Sequence, residues 1–146
     1  MTIARLAGRS KDLPMDAQTW LEAYLARNGG VAGSVHAIEE DLLQMRAAVA
    51  LPPPVVAATK TIPCGKGMAG LAWERKAPVT TCNLQAPSKD VRPGAAAVGA
   101  KAAVALPILD AAGEVRAVVG IAYDDERDLP EALLTQLSDD AASLPG

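Results

Sequence analysis

The stretch IPCGKGMAGLAWERK, Ile62–Lys76, decides the fold. Gly65 and Gly67 supply a turn, and Met68–Lys76 then has the spacing of a helix, with Leu71, Ala72 and Arg75 around Trp73. Immediately upstream, Pro52, Pro53 and Pro54 stop any regular element, because proline lacks an amide donor and restricts its neighbour. The intervening VVAATKTI reads as a short helix or an irregular crossing. Downstream, Pro78–Thr81 reads as a short strand, followed by a long segment, Asn83–Gly99, broken by Pro87, Pro93 and Gly94. Compact domains seldom carry connections of that length without a use for them.

Further out, Ala102–Leu109 and Val115–Tyr123 are apolar runs joined by DAAGE, whose Gly113 suits a turn, and they should form the central hairpin. Asp128 and Pro130 then open an amphipathic helix with Leu133, Leu134, Leu137 and Ala141 towards the core. On the other side, a first helix starting near Asp12 or Pro14 carries Trp20, Leu21, Tyr24 and Leu25 as one stripe and stops at Asn28–Gly30. Gly33–Glu39 and Leu42–Ala50 read as two strands turned by EED, although a helix over Glu39–Ala50 fits the same residues. The order of elements implies an α+β fold: a central antiparallel sheet of five or six strands with terminal helices packed on one side. Residues 1–11 read as an arm, 12–143 as one domain and 144–146 as a tail.

Composition narrows the function. In 146 residues there is no Phe, and the aromatics are Trp20, Trp73, Tyr24 and Tyr123, so a cavity here would be lined by aliphatic groups. A net charge of −3 with scattered Lys and Arg argues against nucleic acid, whose backbone needs clustered cations. No apolar run is long enough for a signal peptide or a membrane span, so the expectation is a soluble, cytoplasmic protein with its two cysteines reduced.

The segments TIPCGKGMAGLAWERKAPVTTCNL and AVALPILDAAGEVRAVVGIAYDDERDLPEALLTQL together resemble the GAF domain family. In that family the first pattern is a glycine turn, a helix and a short strand leading into a pocket-covering loop, and the second is two core strands and the closing helix. Order and spacing favour this fold over a PAS, ACT or profilin-like arrangement. The resemblance implies a regulatory sensor that encloses a small ligand and often dimerises through its terminal helices. It does not name a ligand, and fold analogy alone never fixes activity.

Cys64 is the first chemical candidate. Lys60, Lys66, the amides around Gly65–Gly67 and the following helix start would favour a thiolate, whereas the preferred reading is a small side chain packed at the base of the loop. Free methionine-(R)-sulfoxide reductases also resemble GAF domains and use pocket thiols. At the corresponding positions this chain has Ala69 and Ala96, so the resemblance does not carry that mechanism over. A regulatory Cys64–Cys82 disulfide would need the two to approach in space.

His36, the single histidine, precedes Glu39, Glu40 and Asp41 without a zinc spacing, and reads as a surface or partly satisfied strand residue. Asp124–Asp128, DDERD, lacks calcium-loop spacing and reads as a solvated connection. GKGMAG matches neither the phosphate-loop nor the dinucleotide pattern, and neither a cyclic nucleotide nor a bilin is assigned. No cofactor is implied. Asp90 and Arg92 in PSKDVRPG are polar candidates at a pocket cover, with surface pairing as the plainer account. The candidate ligand-binding set is Cys64, Gly67, Met68, Trp73, Asp90 and Arg92; Trp73 either lines the cavity base or sits in the core.

These residues favour a noncatalytic module that binds a small molecule, a protein partner or both. The alternatives are a thiol enzyme or sensor using Cys64, and a scaffold whose pocket has closed. Without an output domain in the sequence, signalling would pass through protein contact. Trp20, Leu21, Leu134, Leu137 and Leu144 offer apolar area for a homodimer or another partner, unless the core consumes them.

Overall fold

The computed structural model describes residues 16–81, 102–124 and 129–145. The arm at 1–11, Cys82, the Asn83–Gly99 segment with Asp90, Arg92 and Ala96, and residues 125–128 of DDERD lie outside the described residues.

Helix α1, Ala17–Asn28, begins after Asp16 rather than near Asp12 or Pro14. The Asp16 carboxylate accepts the Thr19 amide at 2.7 Å, satisfying a donor that the first turn leaves unpaired. Gly29, at φ 74°, closes the helix by donating to the Leu25 carbonyl. Strands β1, Ala32–Glu39, and β2, Leu42–Val49, form an antiparallel hairpin. Its turn residues Glu40 and Asp41 have φ of 56° and 63°, the left-handed pair that a two-residue hairpin needs. That geometry excludes a helix over Glu39–Ala50.

Helix α2, Pro53–Thr59, resolves the open choice after the prolines: Pro53 sits at its first position, where no amide is needed. There follow β3, Thr61–Ile62, helix α3, Gly67–Arg75, and β4, Val79–Thr81. Strands β5, Ala102–Leu109, and β6, Val115–Tyr123, form the central hairpin, and helix α4 spans Glu131–Ala141. The β5–β6 turn is fixed by the Asp110 carboxylate, which accepts the amides of Ala112 and Glu114 at 2.8 and 3.0 Å.

The six strands lie in the order β3-β2-β1-β6-β5-β4, with every pairing antiparallel. The terminal helices α1 and α4 cover one face. Trp20, Leu21, Tyr24 and Leu25 meet Leu137, Ala141 and Leu144 there, over Val35, Val104, Leu106, Val119, Ile121 and Tyr123. Trp20 and Tyr24 stack with ring centroids 4.8 Å apart, and the Tyr24 hydroxyl donates to the Leu137 carbonyl at 3.0 Å. Outside this core, Arg27 grips both oxygens of Asp140 at 3.1 and 2.9 Å. Trp20, Leu21, Leu137 and Leu144 are therefore buried within the protomer, and Leu134 packs half-buried against them. The apolar area that the sequence offered to a partner is spent on the chain's own core, and Leu144 belongs to that core rather than to a tail.

The opposite face is divided. Leu43, Ala72, Val79, Ala105, Val115 and Val118 form a smaller apolar cluster under α3. Beside it, the sheet surface is left hollow.

Candidate functional site

The hollow arises from side-chain size and register. Ala32 on β1 pairs with Ala122 on β6, which pairs with Ala103 on β5. Two residues along, Ser34 pairs with Gly120, which pairs with Ala105. Because alternate residues share a face, these two rows make a floor of methyl groups, one hydroxyl and one bare backbone. The third row, His36–Val118–Pro107, raises the floor with larger groups. Leu51, Val55 and Thr59, on and beside α2, and Gly67, Met68 and Ala69 of α3 form the walls. Among the described residues the hollow is a partly open cavity of about 170 Å³, the scale of apolar cavities that accept a benzene-sized molecule.

Of the two expectations for His36, a surface residue or a partly satisfied strand residue, the structure rejects the first and gives the second. The residue is among those bordering the cavity and is only 2% exposed. Nε2 lies 2.7 Å from the Thr59 carbonyl oxygen. A carbonyl only accepts, so Nε2 carries the proton and Nδ1 of the neutral ring is an acceptor. Nδ1 is buried with no hydrogen-bond partner among the described residues. Burial lowers the pKa of His36, partly opposed by the Thr59 hydrogen bond, so the neutral ring is the resting form near pH 7. Ser34 Oγ, on the same face, lies 3.2 Å from where a Cβ on Gly120 would stand.

The glycine turn does not bring Cys64 into this site. The Lys66 amide donates to the Pro63 carbonyl at 3.2 Å across Cys64 and Gly65, and Gly65 has φ 85°. Positive φ at the third residue is the requirement of a type II turn. The next contact is backbone to backbone: the Gly65 amide donates to the Gly70 carbonyl at 3.0 Å. A Cβ on Gly70 would stand 2.7 Å from the Pro63 carbonyl oxygen. Cys64, the second turn residue, is an exposed, free thiol. The expectation that it packs at the loop base is thus corrected.

Of the candidate ligand-binding residues, Gly67 and Met68 line the cavity and Cys64 and Trp73 do not. Trp73 is half-buried against the smaller apolar cluster. Asp90 and Arg92 lie outside the described residues. Sequence reading missed His36 as a pocket residue, together with Ser34, Val55, Thr59 and the alanine floor. The alternation of small residues in VGIA and AAVA was a visible signal, but only strand register aligns it into rows. Among the described residues no cluster of His, Cys, Asp or Glu could hold a metal ion.

The GAF domain family matches residues 17–144, and the chain belongs to that family. No curated protein matches the sequence. Among solved structures, the type II free methionine-R-sulfoxide reductase of Thermoplasma acidophilum superposes with a TM-score of 0.70 at 17% identity, over 88% of this chain and 87% of that one. The GAF domain region of a putative membrane protein from Geobacter sulfurreducens gives 0.72 at 16%, over 87% and 86%. The GAF domain of a phosphoenolpyruvate-protein phosphotransferase from Coxiella burnetii gives 0.66 at 15%, over 92% and 87%. At such identities the similarity is one of fold.

Proposed function

We propose that this chain is a noncatalytic GAF sensing module that binds a small molecule between its sheet and helices α2 and α3. The observation that carries the reading is the cavity of about 170 Å³ with its floor of small side chains. A scaffold with a closed pocket would fill those rows with larger residues, as the opposite face does. GAF domains of similar fold occur as part of the Coxiella phosphotransferase and of an HD-domain protein from Geobacter sulfurreducens, which supports a regulatory setting. Against thiol chemistry stand Ala69, a methyl group on the cavity wall, and Cys64, exposed outside it. The reading includes a cytoplasmic location and output through contact with a second copy or another protein. No helix among the described residues is long and apolar enough to cross a membrane.

Ala69→Leu tests the reading, since leucine is a good helix former and its added carbons would enter the cavity. Apolar probes of benzene size should perturb amide resonances of β1, β5, β6 and α3 in the wild type and bind at least about tenfold more weakly to the variant. Equal binding by both proteins would place the probes elsewhere and remove the sensing reading.

A further inference from the structure

We propose that the cavity takes a compact, uncharged hydrocarbon molecule seated on the bare backbone of Gly120, and that this glycine limits the size of the molecule. Resting on the sensing reading above, the proposal adds the chemical class of the ligand and the residue that selects it. Gly120 lies within β6, paired with Ser34 on β1 and with Ala105 on β5. Glycine inside a strand weakens it, and its usual reason is a bulge, a bend or a close approach by a ligand or another backbone. Neither the backbone nor the packing of the described residues requires it here. Its φ lies outside the left-handed region, and a Cβ built on it would meet Ser34 Oγ alone, at 3.2 Å, a side-chain atom that can turn aside. Gly33, one residue before Ser34, differs: its Cβ would stand 2.6 Å from the Gly120 carbonyl oxygen. Gly33 thus serves the chain's own packing, whereas Gly120 leaves a seat in the cavity floor.

The walls around that seat set the chemistry. Leu51, Val55, Ile62 and Met68 are hydrocarbon or thioether, and no Asp, Glu, Lys or Arg is among the described lining residues. Thr59, a polar member of the lining, is engaged within the chain: its hydroxyl donates to the Val55 carbonyl at 2.7 Å, and its carbonyl accepts from His36 Nε2. An ammonium or carboxylate on this floor would lose hydration without gaining a counter-charge from these residues. A hydrocarbon loses only its contact with water and meets methyl groups in exchange. The cavity of about 170 Å³ suits one ring or a short branched chain.

The test uses the full chain with toluene, benzene, benzoate and benzylammonium, which share a ring and differ in size or charge. Toluene should shift the Gly120 amide resonance, and both charged probes should bind at least about tenfold more weakly. Gly120→Ala places one methyl group on the seat. Toluene affinity should fall roughly tenfold, benzene should lose less, and the urea midpoint should be no lower than that of the wild type. That combination separates a lost seat from a damaged fold. A charged probe that binds within tenfold of toluene overturns the uncharged class, and unchanged toluene affinity in Gly120→Ala overturns the seat. In either case the sensing reading stands if Ala69→Leu still weakens binding. A lowered midpoint or a failure of Gly120→Ala to fold shows that the chain itself needs this glycine and also overturns the seat; the wild-type probe series then decides the class alone. If no probe binds at saturating concentration, the proposal and the sensing reading both fall.

Discussion

The Nε2 atom of His36 on β1 lies 2.7 Å from the carbonyl oxygen of Thr59, the last residue of α2. One hydrogen bond therefore ties the sheet floor to the cavity wall and holds the proton on Nε2. Burial depresses the His36 pKa below its ordinary 6.5, so between those two values the unfolded chain takes up a proton that the folded chain refuses. The stability contributed by the neutral ring is complete above pH 6.5 and is lost as the pH falls towards the depressed value. Urea unfolding should show a midpoint that declines from pH 7.5 to pH 5, and His36→Phe should flatten that decline. The carboxylates Asp16 and Asp140, whose pKa values lie below the ordinary 3.8, lose their contributions only at lower pH. A decline of the same size in the variant would show that another group titrates.

Gly70→Ala and Gly113→Ala separate two costs. The Gly70 Cβ would meet backbone atoms, the Pro63 oxygen at 2.7 Å and the Gly65 nitrogen at 3.1 Å, so the turn before α3 must shift. A loss of about 1–3 kcal/mol is expected. Gly113 has open space around it but φ of 82°, so alanine there meets only the left-handed backbone penalty, about 1 kcal/mol. Chemical denaturation of both variants checks the order. Gly113→Ala costing more than Gly70→Ala would overturn the close-approach account.

Tyr24→Phe removes the buried hydroxyl that donates to the Leu137 carbonyl and joins α1 to α4. The ring stays stacked on Trp20, so the expected loss is that of one hydrogen bond, about 1–2 kcal/mol. Because this contact lies on the face away from the cavity, probe affinity measured well below the unfolding transition should be unchanged.

Cys64→Ser should leave both stability and probe binding as they are, since the side chain is exposed and outside the cavity lining. A thiol-directed maleimide should label Cys64 in the native protein without a denaturant. Loss of probe binding in the serine variant would revive a role for this thiol in the site.

The fold was legible where a local pattern has one solution. Tyr24 and Leu25 complete a helical stripe with Trp20 and Leu21, and the runs on either side of DAAGE admit no helix that would leave them half polar. The hairpin at Glu40–Asp41 was not settled by its residues, because Asp41 suits a left-handed φ but Glu40, at φ 56°, does not. Pairing of both strands into the sheet decides it. The site was less legible. Gly67 and Met68 follow from the glycine turn, but His36 stands in a strand where neither face is cleanly apolar, and nothing local says which face is buried.

The sequence by itself determined the order and type of most elements, the aliphatic character of any cavity, and the absence of thiols at Ala69 and Ala96. Those properties depend on residue identity and short-range spacing. Tertiary structure alone decided that Cys64 points out, that the terminal-helix leucines close the protomer's own core, and that Ala32, Ala103, Ser34, Ala105 and Gly120 share a floor beneath His36. The reason is register: a floor built from three strands brings together residues up to some ninety positions apart, and one residue of slip would turn each of them to the other face.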